Sequence, residues 1–213
     1  MIDISYMRKE YAQKPLRRKD LLENPYNQFE KWFNEAIDLN HLEANAFTLA
    51  TVGKDMRPSQ RTVLLKMYDT NGFVFFSNYK SKKSKQIEQN SNVSAHFAWL
   101  GLERQVRIEG SIEKISKQES LKYFLSRPKG SQIGAWVSLQ SDVVNARSIL
   151  EAKFDEIKKK FSKGEVPFPS FWDGYIIKPT FFEFWQGGKD RLHDRFAFAL
   201  QDDGTWQIQR LQP

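Results

Sequence analysis

The stretch Ala46–Asn78, AFTLATVGKDMRPSQRTVLLKMYDTNGFVFFSN, decides the fold class. Its three runs AFTLATV, RTVLLKMY and FVFFSN are rich in β-branched and aromatic side chains, which pack well on a pleated surface. GKDMRP and DTNG separate them, and their Gly, Pro, Asn and Asp favour tight reversals. The pattern predicts a meander of antiparallel strands. Arg61 and Lys66 bracket the apolar TVLL; five positions apart, they face opposite sides of an ideal strand and need not serve one ligand group. Each is equally well an ordinary strand-end charge.

Before the meander, Asn24-Pro25 gives an N-cap followed by a first-turn proline, and Phe29, Trp32, Phe33, Ala36 and Ile37 mark a helical apolar stripe to about Asn40. Residues 1–24 are polar, lack periodicity and predict a mobile arm, leaving 25–213 as one domain. After the meander, Ser81 caps the short helix SKKSKQIEQN. Lys82 and Lys83 in its first turn oppose the helix dipole unless an anion sits there; a solvated lysine-rich helix is the alternative. NVSAHFAW and ERQVRIEGSIEKI read as strands. Gln105 lies on the polar face of the second, as a ligand-binding amide or as plain surface, while His96 reads as structural.

Ser116 and Glu119 form a capping box for SKQESLKYFLSR, which Pro128 ends. Tyr123 and Arg127, at i and i+4, share a helix face, and Ser131 follows the break. A phenol, a guanidinium and a hydroxyl are the donors a phosphate dianion wants, although a core tyrosine beside a capping arginine has the same spacing. Gln140-Ser141 precedes a predicted helix over about 142–162, with Val143, Ala146, Ile149, Leu150, Phe154 and Ile157 as its stripe. GYIIKP, FFEFW, RFAFAL and WQIQRL supply the last strands. Within Glu183–Phe196, EFWQGGKDRLHDRF, Arg191, His193 and Arg195 recur at every second residue, so an extended backbone puts them on one face. Such a row suits an anionic or electron-rich ligand, or is a charged edge that resists aggregation.

Composition narrows the classes. A chain of 213 residues, 40% hydrophobic, suffices for a sizeable core. It has no cysteine, which excludes disulfides and thiolate chemistry, and its histidines, His41, His96 and His193, lack metal-ligand spacing, so no metal is expected. The N-terminus lacks a signal-peptide core and no run reaches membrane-helix length, so a cytoplasmic, membrane-free setting is the expectation. The net charge of +7 raises nucleic acid as a partner, but the lysines and arginines are scattered among acids instead of forming one basic face. No Walker loop, GxGxxG or GxSxG element occurs.

Together, RKEY, QRTVLLK, LERQVRIEG, KYFLSRP, SQIGAWVS, PSFWDGY, EFWQGG, RLHDRF and the terminal RLQP resemble the pyridoxamine/pyridoxine 5′-phosphate oxidase family over almost the whole chain. The resemblance implies a mainly β (α+β) fold, an FMN-binding split β-barrel of antiparallel strands with flanking helices, and a homodimer with FMN sites at the interface. It implies oxidation of pyridoxine or pyridoxamine 5′-phosphate by dioxygen to pyridoxal 5′-phosphate, with release of hydrogen peroxide and, from the amine, ammonia. FMN positions fall on Arg61, Thr62, Val63, Leu64, Leu65, Lys66, Phe76, Ser77, Lys82, Lys83, Gln105, Gln140, Ser141, Trp185 and Arg195. Substrate positions fall on Lys66, Tyr123, Arg127, Ser131, Arg191 and His193, the last two as the catalytic pair, while Arg8 and Tyr11 match a segment with the candidate role of closing over the site. Lys82 stands where the family pattern leads us to expect Arg, which keeps the charge but loses the bidentate fork, and Phe76 where tyrosine is common. A flavin- or pyridoxal-phosphate-binding protein without oxidase turnover is the competing reading.

Overall fold

The computed structural model describes all residues except Lys9, Asn40, His41 and Leu139. The end of the first predicted helix at Asn40, and His41, therefore lie outside the described residues. Helix α1 spans Pro25–Asp38, capped as expected: the Asn24 side chain accepts the Tyr26 N–H at 2.8 Å. Strands β1 (Ala46–Val52), β2 (Pro58–Leu64), β3 (Met67–Asp69) and β4 (Gly72–Asn78) follow, then α2 (Lys82–Gln89), β5 (Asn92–Trp99) and β6 (Arg104–Lys114). Helices α3 (Lys117–Ser126), α4 (Lys129–Val137) and α5 (Arg147–Lys160) lead to β7 (Trp172–Gln186), β8 (Asp194–Leu200) and β9 (Trp206–Leu211). The strands hydrogen-bond in the order β2-β1-β5-β6-β7-β4-β3, with β8 pairing β7 and β9.

By contact density the chain divides into two compact units: Met1–Leu49, Ser94–Gly110 and Pro179–Pro213 form the first, Ala50–Val93 and Ser111–Lys178 the second. In the first, α1 buries Phe29, Trp32 and Phe33. Phe29 meets Phe97 edge-on at 5.0 Å and Trp32 meets Phe184 at 5.3 Å, both arrangements that aromatic quadrupoles favour. In the second, β4 is buried along nearly its whole length and pairs antiparallel with the start of β7, from Phe73 opposite Ile177 to Asn78 opposite Trp172. Phe124, Ile133, Val137, Val166 and Trp172 pack together beside it.

Four expectations change. RTVLLKMY is not one strand: β2 stops at Leu64, Leu65 enters the core, and the Lys66 N–H donates to the Val74 carbonyl at 2.9 Å before β3 begins. GYIIKP and FFEFW instead form the single strand β7, with Pro179 falling between its register with β4 and its register with β8. The helix predicted from 142 begins only at Arg147, with Ala146 extended (φ −154°, ψ 148°) and Val143 95% exposed. Ser141 is left-handed (φ 75°), the cap position offers no side-chain acceptor, and Val143-Val144 is a β-branched pair with poor helix propensity. Finally, Arg191, His193 and Arg195 are not one strand face. Residues 189–191 form a 3-10 turn, Asp190 and Arg191 are left-handed (φ 54° and 61°), and only Arg195 lies within β8.

Candidate active site

In the second unit a cavity of about 690 Å³ collects most of the predicted ligand residues. β2 contributes Arg61, Thr62, Val63 and Leu64, and the break after it contributes Lys66; β4 ends there with Phe76 and Ser77. Lys82 and Lys83 come from the first turn of α2, Tyr123 from α3, Arg127 from its C-cap, and Gln140 and Ser141 from the segment before α5. Arg61 and Lys66 do share this site. The expectation that they face opposite ways required an unbroken strand, and the Leu65–Lys66 break resets the alternation.

The electrostatics are one-sided. Arg61, Lys66, Lys82, Lys83 and Arg127 line the cavity with no carboxylate among its described lining residues. The Lys83 ammonium donates to Ser77 Oγ (2.9 Å), Gln140 Oε1 (3.0 Å) and Ser81 Oγ (3.3 Å), all neutral acceptors. Burial, and secondarily the Arg61 charge, pulls its pKa down to about 8. Arg61 donates to Thr51 Oγ1 (2.6 Å) and Ser59 Oγ (2.7 Å), whose hydroxyls each lie 2.7 Å from Gln86 Oε1. Burial lowers the Arg61 pKa as well. At the helix start, the Lys82 N–H donates to Ser141 Oγ at 3.1 Å.

Arg127 lies 4.6 Å over the Trp172 ring, and its Nη1 is buried with no hydrogen-bond partner. Burial depresses its pKa and raises that of Tyr123, which Arg127 partly offsets; the Tyr123 ring stacks on Phe76 at 3.9 Å. A buried guanidinium N–H without an acceptor is costly, and the chemistry that satisfies it is an anion. Two predicted residues of this unit are not in the lining: Leu65 is core, and Ser131 is exposed in the first turn of α4. Ser59, Gln60 and Trp172 line it without having been singled out. Period-2 spacing from Arg61 was the available signal for Ser59; Trp172 had none beyond the PSFWDGY block.

The remaining predicted residues belong to the first unit. Trp185 and His193 lie with ring centroids 4.7 Å apart, and Tyr11 meets both edge-on at 5.7 and 5.5 Å. The Gly188 N–H donates to His193 Nδ1 at 3.1 Å, which leaves the proton of a neutral imidazole on Nε2. Arg191, His193, Arg8 and Tyr11 line a cleft of about 510 Å³. Arg195 pairs with Glu183 (2.7 Å), which also takes a bond from Arg107 (2.7 Å). Burial disfavours the Glu183 charge, but those two guanidinium bonds outweigh it and hold the carboxyl below its usual range. Gln105 Oε1 is 3.0 Å from His96 Nε2, so the candidate amide is engaged with the histidine read as structural. Among the described residues no group of His, Cys, Asp and Glu could hold a metal, and no helix is long and apolar enough to cross a membrane.

Residues 33–161 match the family described as Pyridoxamine 5'-phosphate oxidase, and residues 172–213 match the Pyridoxine 5'-phosphate oxidase C-terminal dimerisation region. A Pyridoxine/pyridoxamine 5'-phosphate oxidase of Aliarcobacter butzleri is 66% identical over 212 residues, covering 100% of both chains. One of the same name from Rippkaea orientalis is 55% identical, again covering 100% of both. Among solved structures, PhzG from Burkholderia lata, in complex with tetrahydrophenazine-1-carboxylic acid, superposes with a TM-score of 0.88 at 25% identity, over 96% of this chain and 100% of that one. The fold class is the split β-barrel, as the sequence led us to expect.

Proposed function

The chain belongs to the pyridoxamine 5′-phosphate oxidase family, and from that premise we propose how its residues serve the oxidation of pyridoxine or pyridoxamine 5′-phosphate to pyridoxal 5′-phosphate by dioxygen. FMN is the cofactor in this reading. When bound, it supplies the two-electron oxidation that none of the side chains here can perform. FMN and substrate are both phosphate monoesters, and the residues present fit two such groups: five cations, no carboxylate among the described lining residues, and a buried guanidinium N–H still lacking an acceptor. That orphaned Arg127 Nη1 is the observation that carries the reading.

The Arg61–Lys66 run, Phe76, Ser77, Lys82, Lys83, Gln140 and Ser141 hold the flavin and its phosphate, joined by Gln105, Trp185 and Arg195. Glu183 orients Arg195 for that task through their 2.7 Å pair. Lys66, Tyr123, Arg127 and Ser131 bind the substrate phosphate, which fixes the pyridine ring in place. Arg191 lies against the ring and steadies developing negative character. His193 has Nδ1 occupied by the Gly188 N–H, so Nε2 is the nitrogen left to orient the ring hydroxyl or move its proton. The match of residues 172–213 to a dimerisation region supports a homodimer, and flavin sites at its interface complete the proposal.

The test is direct. The purified protein titrated with FMN should show bound-flavin absorbance and release peroxide when pyridoxine or pyridoxamine 5′-phosphate is added. A protein that binds no flavin would overturn the cofactor assignment, and a flavin-loaded protein that releases no peroxide would be a carrier instead.

A further inference from the structure

We propose that Glu103 is a positioning residue that holds the N-terminal segment closed over Arg191 and His193. Glu103 is 4% exposed and left-handed (φ 55°), a conformation that costs a side chain-bearing residue something and that glycine would adopt more easily. What the position gains from glutamate is its carboxylate. Oε2 accepts the backbone N–H groups of Ala12 (3.0 Å) and Gln13 (3.2 Å), while the Glu103 carbonyl accepts the Gly187 N–H (2.7 Å). One residue thus ties the arm to the Gly187-Gly188 turn that leads into the 510 Å³ cleft. The turn is cut to receive the arm: a Cβ on Gly187 would come within 2.8 Å of the Tyr11 ring, the ring that meets Trp185 and His193 edge-on.

The segment beyond Ala12 carries Arg8 and Tyr11, both of which line the cleft. On that side the segment is also tethered by the Lys189–Glu10 ion pair at 3.8 Å, between side chains 72% and 71% exposed, which contributes little. The two bonds to Glu103 are charge-assisted and shielded, so they set the balance between an open arm, which admits substrate, and a closed arm, which retains it.

This role rests on the oxidase reading, and its test separates the two. The FMN-loaded full-length protein is compared with Glu103→Ala, Glu103→Gln, Ala12→Pro, a chain lacking residues 2–11, and that deletion combined with Glu103→Ala. Trypsin cleavage of the arm, followed by mass spectrometry without substrate, should be about tenfold faster in Glu103→Ala and faster in Ala12→Pro, the loss of about one charge-assisted bond. Glu103→Gln keeps an acceptor oxygen but loses its charge and should fall between the parent and Glu103→Ala. In the peroxide assay Glu103→Ala should raise KM about tenfold with kcat little changed, yet add nothing in the arm-deleted chain, because it acts only through the arm. Unchanged cleavage in Glu103→Ala and Ala12→Pro, or KM effects of Glu103→Ala and the deletion that multiply, would overturn the proposal. Failure of the parent to release peroxide would strike the oxidase reading alone, and cleavage would still decide the latch.

Discussion

Arg127→Ala separates binding from folding. Arg127 caps α3 with its backbone N–H donating to the Phe124 carbonyl at 3.2 Å, and its own carbonyl accepts from Gln132 Nε2 at 2.9 Å, bonds the substitution leaves in place. What it removes is a guanidinium stacked 4.6 Å over Trp172 with a buried, unpartnered Nη1. Without ligand the two effects oppose each other: losing the cation–π contact costs about 0.5–1 kcal/mol, and deleting an orphaned buried donor recovers about 1–3 kcal/mol. The net is a gain of about 0–2.5 kcal/mol, so the ligand-free variant should melt no lower than the parent and up to about 10 °C higher. With substrate, a charge-assisted bond of about 1.5–3 kcal/mol is gone, so KM should rise about 10- to 150-fold. Because the phosphate is remote from the oxidised carbon, kcat should change far less. The assay is steady-state peroxide release with pyridoxine 5′-phosphate beside unphosphorylated pyridoxine, and circular dichroism for melting. Arg127→Ala should also narrow the preference for the phosphorylated compound. A KM within twofold of the parent, or an undiminished preference for phosphate, would refute the assignment.

Arg191→Met should lower kcat with a modest change in KM, read in the same assay, because the cation is assigned to charge that develops on the ring during reaction. At the proposed flavin site, Lys83 should make flavin capture pH-dependent. Its folded pKa, about 8, lies below the ordinary 10.5, so between those values the unfolded chain binds more protons and the burial cost fades as pH rises; a bound phosphate favours the charged form. FMN affinity, measured by quenching of flavin fluorescence, should fall above pH 8, by up to about tenfold per unit, and Lys83→Met should be weak and flat across that window. Gly174→Ala would place a Cβ 2.4 Å from Ile115 Cδ1 and 2.9 Å from Phe76 Cε1. It should cost about 1–3 kcal/mol and lower the melting temperature by roughly 3–10 °C.

Regular structure was legible where a residue's chemistry acts locally. The Asn24 cap, the Ser81 cap and the reciprocal Ser116–Glu119 box form as their residue types dictate, and DTNG closes β3 onto β4 with Asp69 opposite Gly72. Tyr123 and Arg127 share one cavity, as i,i+4 spacing requires. Three of the four readings that changed assumed that a backbone stayed regular: an unbroken strand through Leu65–Lys66, a helix running from 142, an extended row through Arg191; the fourth placed a break at Pro179, where β7 runs on. Ser141, Asp190 and Arg191 adopt positive φ without being glycine, and composition gives no sign of that, because tertiary packing imposes it. The division of the predicted residues between two units was equally invisible, since spacing along the chain says nothing about which turns return to one place.

Those breaks are where the candidate ligand groups concentrate, for a physical reason. In a regular strand the side chains alternate and the backbone donors are spent on neighbours, so a single ligand meets at most every second residue. Lys66 follows the strand break, Arg127 caps a helix, Ser141 and Arg191 are left-handed, and Lys82 and Lys83 begin α2, where amide N–H groups point outward. Each departure aims a cation or donor that regular geometry would have turned away, as the shared cavity of Arg61 and Lys66 demonstrates. The cost falls on folding: Lys83 is held among neutral acceptors at a depressed pKa, and Arg127 keeps an unpaired buried N–H. Under the proposed function two phosphate monoesters relieve them, the flavin's at Lys83 and the substrate's at Arg127, so the features that strain the ligand-free protein are the ones that would favour dianions.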